Sequence, residues 1–95
     1  MALFVLSCLD KAGALDLRMA TRESHLAYVR EHVARIKAAG PLLSDAGEMM
    51  GSMFVIEADS AAEIEAFSAA DPYRAAGLFD SVTVQPWRVT IGGFA

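Results

Sequence analysis

Histidine is the side chain that exchanges protons near neutral pH, and this chain has two, His25 and His32. A carboxylate held against one ring nitrogen orients the imidazole and stabilises its charged form, leaving the other nitrogen to move a proton. Asp71 is the candidate carboxylate. It precedes Pro72, and Asp-Pro also reads as a cap on a following turn. One residue can hold both roles. A third, hydroxyl member would come from Ser7, Ser52 or Ser81, and nothing in the sequence selects among them. His32 lies seven residues beyond His25, about 10 Å along a helix, so the two do not suit one metal ion. It reads as a helix boundary residue. Cys8, inside an apolar run, reads as an inert buried thiol.

These residues need elements to bring them together. Leu3–Leu9 (LFVLSCL) predicts a strand. Thr21 reads as an N-cap, and Leu26, Val29, Val33 and Ile36 form the apolar stripe of a helix over Arg22–Ala39. Gly40-Pro41 would stop that helix. A weaker strand at Leu42–Ala46, a turn at Gly47 and a strong strand at Ser52–Ala58 follow. Ser60 to Glu63 has the form of a capping box, opening a second helix with Ala61, Ile64 and Phe67 inward and ending near Asp71-Pro72. Tyr73–Leu78 is a short helical stub. Ser81–Val89 alternates as a strand, with Pro86 placing it at an edge. Residues 90–95 form a tail, mobile or docked on a neighbour.

The order is β-α-β-β-α-β, so the expected fold is α+β: a ferredoxin-like antiparallel sheet with both helices on one face. Followed through space, this path gathers Ser7 and Cys8, Arg22 and His25, Gly51 to Met53, Asp71 and Tyr73, and Ser81 at one end of the sheet. Arginine at a helix's positive end is electrostatically disfavoured, so Arg22, predicted there, is a candidate anion ligand.

The chain has 95 residues, enough for a single domain over residues 1–95. A domain of this size buries only roughly 64% of its unfolded surface. Yet 55% of its residues are hydrophobic, and the strands are apolar on both sides. A second copy packed sheet to sheet would cover the excess, so a homodimer is expected. Eight basic against twelve acidic residues leave a net charge of −4, which argues against nucleic acid as a partner. Nothing resembles a secretory leader or membrane helix, and one cysteine gives no hint of secretion, so a cytoplasmic setting is expected.

Arg22-Glu23-Ser24-His25-Leu26, Gly40-Pro41-Leu42-Leu43, Gly51-Ser52 and Asp71 to Leu78 (DPYRAAGL), followed by Val82 to Trp87, resemble the YCII-related (YciI-like) family. The resemblance spans nearly the whole chain. It implies a dimeric α+β barrel and a His–Asp dyad at His25 and Asp71. Proteins related to that family imply proton transfer with elimination or isomerisation on a small oxygenated ring. The resulting expectation is a small enzyme without cofactor or metal. His25 and Asp71 would be catalytic; Arg22, Ser52 and Tyr73 would contact a small, anionic, aromatic-derived substrate. The alternatives are a non-catalytic module that binds a small ligand and a pure dimeric assembly domain.

Overall fold

The computed structural model describes residues 2–94. Nine residues, Ala2–Asp10, form β1; Leu15–Arg30 form α1; a 3-10 turn at Val33–Arg35 leads into β2, Ile36–Leu43. β3 is Met49–Ala58, α2 Ala61–Ala69, α3 Pro72–Ala75 and β4 Phe79–Trp87. The four strands lie in the order β2-β3-β1-β4, and every pairing is antiparallel. β3 is therefore inserted between the two strands of the first βαβ unit, which gives the ferredoxin-like α+β fold anticipated from the element order.

Alternation along the two central strands decides the core. Phe4, Leu6 and Cys8 of β1 and Phe54, Ile56 and Ala58 of β3 point to the helical side, where they bury against Ile64 and Phe67 of α2. Each of the phenylalanine, leucine and isoleucine side chains among them contributes about 1.5–3 kcal/mol by leaving water. The Tyr28 hydroxyl donates to the Phe67 carbonyl at 2.8 Å, tying α1 to α2. On the opposite face Val5 pairs with Val55 and Leu3 with Trp87, and Leu9, Met53 and Trp87 remain exposed.

Helix one departs from the predicted span. It starts seven residues earlier and ends before Val33, which is exposed. Thr21 is no cap: its hydroxyl donates to the Leu17 carbonyl one turn back, as an interior residue does. The apolar spacing ran on by coincidence through the 3-10 turn. Gly40 and Pro41, predicted as a helix stop, lie within β2 opposite Met53 and Ser52. β2 is an edge strand, where a proline's missing donor is tolerated.

The capping box is not made. Glu63 Oε2 accepts from the N–H of Asp59, one residue before the N-cap, at 2.9 Å, and the Ser60 side chain caps nothing. Ala61, expected inward, is exposed, while Ile64 and Phe67 are buried as read. Beyond β4 the described tail residues 90–94 have no regular structure. The Trp87 and Phe94 rings meet edge-on at 6.2 Å. Ala95, the end of the predicted tail, lies outside the described residues.

Candidate functional site

Arg18, Arg22, His25 and Val29 recur at spacings of four, three and four, which puts them on one face of α1. That face meets α3 and the ends of β1 and β3, where the cluster forms. His25 Nδ1 lies 2.8 Å from Asp71 Oδ1, and both residues are buried. A carboxylate oxygen accepts, so this contact suits the tautomer in which Nδ1–H donates; in the neutral form of that tautomer Nε2 is the nitrogen with a lone pair.

Asp71 sits at the N-cap of α3, with Pro72 at the first helical position. The same Oδ1 accepts the Tyr73 N–H at 2.9 Å. Asp71 holds both roles anticipated for it, capping and pairing with His25, through the same oxygen. The cap thereby fixes the carboxylate at the position His25 requires. Tyr73 completes the arrangement. Its ring stacks on the imidazole with centroids 3.9 Å apart at 17°, and the Arg18 guanidinium lies 4.6 Å from the same centroid. Arg18 and His25 are seven residues apart, about 10.5 Å of helical rise, so the Tyr73 ring fills the interval between them. The Phe54 ring meets His25 edge-on at 6.1 Å.

Arg18 is 2% exposed and bonded on two sides. Nε donates to Asp10 Oδ2 at 2.7 Å and Nη2 to Asp10 Oδ1 at 3.2 Å, a two-pronged pairing that suits the planar guanidinium. Nη2 also donates to Ser52 Oγ at 2.7 Å. Asp10 reaches this side because it ends β1 two residues after inward-facing Cys8, where the pairing with β4 shifts register. Ser52 follows from the inward alternation of Phe54 and Ile56 on β3.

A pocket of about 130 Å³ opens beside this cluster, lined by Arg18, Arg22, His25, Ser52, Phe54 and Tyr73. Leu26, Val29, Pro41 and Met49 supply apolar wall. An apolar protein cavity of about 150 Å³ accepts benzene, so the space fits a single ring. Arg22 is exposed at the rim and makes no ion pair among the described residues. Burial pushes the Tyr73 phenol upward from its ordinary value, an effect opposed by Arg18 and Arg22, so it is neutral at physiological pH.

All five residues singled out from the sequence line this pocket or, for Asp71, bond to a residue that does. Two of them stand differently from the reading. Arg22 is in the interior of α1, not at its start, so its exposure at the pocket and not a clash with the helix dipole marks it out. Tyr73 is 1% exposed, and its ring mainly supports its neighbours.

Ser7 and Ser81, the other candidate hydroxyls, do not line the pocket. Arg18 and Asp10 were missed because both fall between the predicted strand, Leu3–Leu9, and the predicted helix, Arg22–Ala39. Extending the α1 spacing four residues back from Arg22 would have found Arg18. His32 lies just past α1, its Nδ1 3.0 Å from the Tyr28 carbonyl. Burial, reinforced by Asp71, pushes the Cys8 thiol up to about 12, which keeps it protonated and unreactive at neutral pH. Among the described residues no three His, Cys, Asp or Glu side chains converge as a metal site. No helix among them is long and apolar enough to cross a membrane.

A family model described as the YCII-related domain matches residues 2–88. Protein YciI of Escherichia coli O6:H1 is 33% identical over 94 residues, covering 90% of this chain and 96% of its own. An uncharacterized protein of Haemophilus influenzae is 31% identical over 94 residues, with 90% and 95% covered. Among solved structures, 5-chloro-2-hydroxyhydroquinone dehydrochlorinase (TftG) from Burkholderia phenoliruptrix AC1100, in complex with 2,5-dihydroxybenzoquinone, superposes with a TM-score of 0.84. It is 35% identical, covering 90% of this chain and 93% of that one. An antibiotic biosynthesis monooxygenase, at TM-score 0.57 and 12% identity over 95% of this chain and 99% of its own, shares the fold alone.

Proposed function

This chain belongs to the YCII-related domain family, and on that premise we propose that it is a small enzyme that moves protons on an oxygenated ring. The reaction class is elimination or isomerisation, run without an organic cofactor or metal. The observation that carries this reading is the buried 2.8 Å contact between His25 Nδ1 and Asp71 Oδ1 at the wall of a one-ring pocket. Asp71 holds the ring in the tautomer with Nδ1 protonated, so Nε2 acts as general base and then as general acid. Arg22, the rim cation, draws an anionic substrate, and Ser52 contacts a ring oxygen.

In the elimination form, His25 takes a proton from a ring hydroxyl and delivers it to the ring carbon that carries the leaving group. The leaving group then departs with its bonding pair while a second hydroxyl proton is lost. The net change is loss of HX, with no electron acceptor required. In the isomerisation form the proton is moved and nothing departs. The dehydrochlorinase neighbour, named for a chlorinated hydroxyhydroquinone and solved with a dihydroxyquinone, supports this substrate class.

The test uses those two molecules. The protein is expected to bind 2,5-dihydroxybenzoquinone saturably, followed through the quinone's visible absorption. It is also expected to release chloride from 5-chloro-2-hydroxyhydroquinone or a close halogenated analogue. Binding without turnover would make the chain a ligand-binding module; neither would remove the reading.

The working form in this proposal is a cytoplasmic homodimer. Leu3, Val5, Leu9, Met53 and Trp87 make the uncovered sheet face apolar, and a second sheet laid against it would bury them. Sedimentation equilibrium is expected to give twice the 10.1 kDa chain mass. A monomer at micromolar concentration would rule the dimer out.

A further inference from the structure

Ser52 Oγ accepts a short hydrogen bond from Arg18 Nη2, and among the described residues no other side chain bonds to it. A hydroxyl whose lone pair is engaged by a cation has its proton left to donate, and the charge-assisted bond makes that donor stronger. Ser52 lines the pocket, so the free donor belongs to the ligand space. The guanidinium is itself held against rotation by its two bonds to Asp10 and by Tyr73 at 4.6 Å. A lone buried ion pair would need only Asp10 and Arg18. Here the third bond goes across to β3, to a polar side chain in an otherwise apolar inward row of Phe54, Ile56 and Ala58.

We infer that Arg18 is a positioning residue that turns the Ser52 hydroxyl into a fixed hydrogen-bond donor for a ring oxygen of the substrate. This rests on the function proposed above and deepens it. When His25 takes a hydroxyl proton, negative charge grows on a ring oxygen, and a preorganised donor at that oxygen stabilises the transition state more than the ground state. Asp10 holds Arg18, Arg18 holds Ser52, and only Ser52 touches substrate. The site then has two separate anion contacts. Arg22 at the rim acts on binding, and the Arg18–Ser52 pair acts on the charge that develops.

The experiment is a double-mutant cycle with Arg18→Lys and Ser52→Ala, read as kcat and KM for halide release. Lysine keeps the charge opposite Asp10 but lacks the planar fork needed to bond Asp10 and Ser52 together. Each single variant is expected to lose about 10²-fold in kcat, in line with removal of one oxyanion donor. KM should shift by less than about threefold. The double variant is expected to be no slower than either single one, because both changes remove the same donor.

Losses that multiply, or an Arg18→Lys protein with lowered melting temperature and wild-type kcat, would overturn the inference and leave Arg18 a structural ion pair. Absence of wild-type turnover with the quinone still bound would sink the catalytic reading alone. The same cycle is then read in Kd for 2,5-dihydroxybenzoquinone, where single losses of about tenfold that fail to multiply support the inference. A wild-type protein that does not bind the quinone overturns both.

Discussion

Replacing His25 by alanine is expected to lower turnover by about 10²–10⁴-fold, the span associated with loss of a general acid–base, while the protein stays folded. His25 is buried, but it belongs to the pocket wall and not to the packed core of β1, β3 and α2. A His25→Gln variant is the sharper probe. Its amide still donates to Asp71 Oδ1, yet it cannot carry a proton through a cycle, so it should bind the quinone and fail to turn over. Wild-type rates in either variant would end the acid–base assignment.

Asp71→Asn is expected to fall nearly as far. The asparagine oxygen at the Oδ1 position still accepts from His25 Nδ1–H and the Tyr73 N–H, but it carries no charge to stabilise the imidazolium, and with the amide flipped its NH2 selects the other imidazole tautomer. If Asp71 is only a cap, Asp71→Asn would cost little in stability and nothing in rate, because asparagine caps as well as aspartate, whereas Asp71→Ala would cost about 0.5–2 kcal/mol of stability. That result would favour a pure assembly domain.

The largest stability effect is expected at Gly51. A Cβ built there would lie 2.4 Å from the Cys8 carbonyl oxygen, and that oxygen belongs to the backbone of a central strand. No rotamer change relieves such a clash, so Gly51→Ala has to push β3 away from β1. Overpacking of this kind costs about 1–3 kcal/mol, and for a domain of this size each kcal/mol is about 4–8 °C in Tm. Ser52 is the next residue, so the shift also loosens its bond to Arg18 and should lower any turnover. Gly40→Ala is the control, with nothing within 4 Å of the added carbon. It should change stability by no more than about 0.5 kcal/mol. Urea unfolding of the two variants side by side decides the matter. Equal stabilities would mean that β1 and β3 are not packed as closely as described.

Much of this architecture was legible because its signals are local. Short apolar runs rich in branched and aromatic residues, as in Leu3–Leu9 and Ser52–Ala58, report strands whatever surrounds them. The order of elements then selected the ferredoxin-like path, and the path placed His25 and Asp71, 46 residues apart in sequence, at one end of the sheet. The helix boundaries failed for an equally physical reason. Val33 and Ile36 continue the apolar spacing of α1, and periodicity does not record where the backbone stops being helical. Gly40-Pro41 is a helix terminator only if a helix arrives there; in an edge strand the same pair is harmless.

Apolar strand runs and the order of elements were thus sufficient for the fold class and for a carboxylate placed near a histidine. Tertiary structure decided what no local pattern encodes. It brought Arg18 against Asp10 and Ser52, inserted the Tyr73 ring between Arg18 and His25, and gave one oxygen of Asp71 two tasks. Each of these depends on how a helix face meets strand ends. Their geometry is set by packing between elements, because side-chain spacing within one element carries no record of the neighbour it will meet.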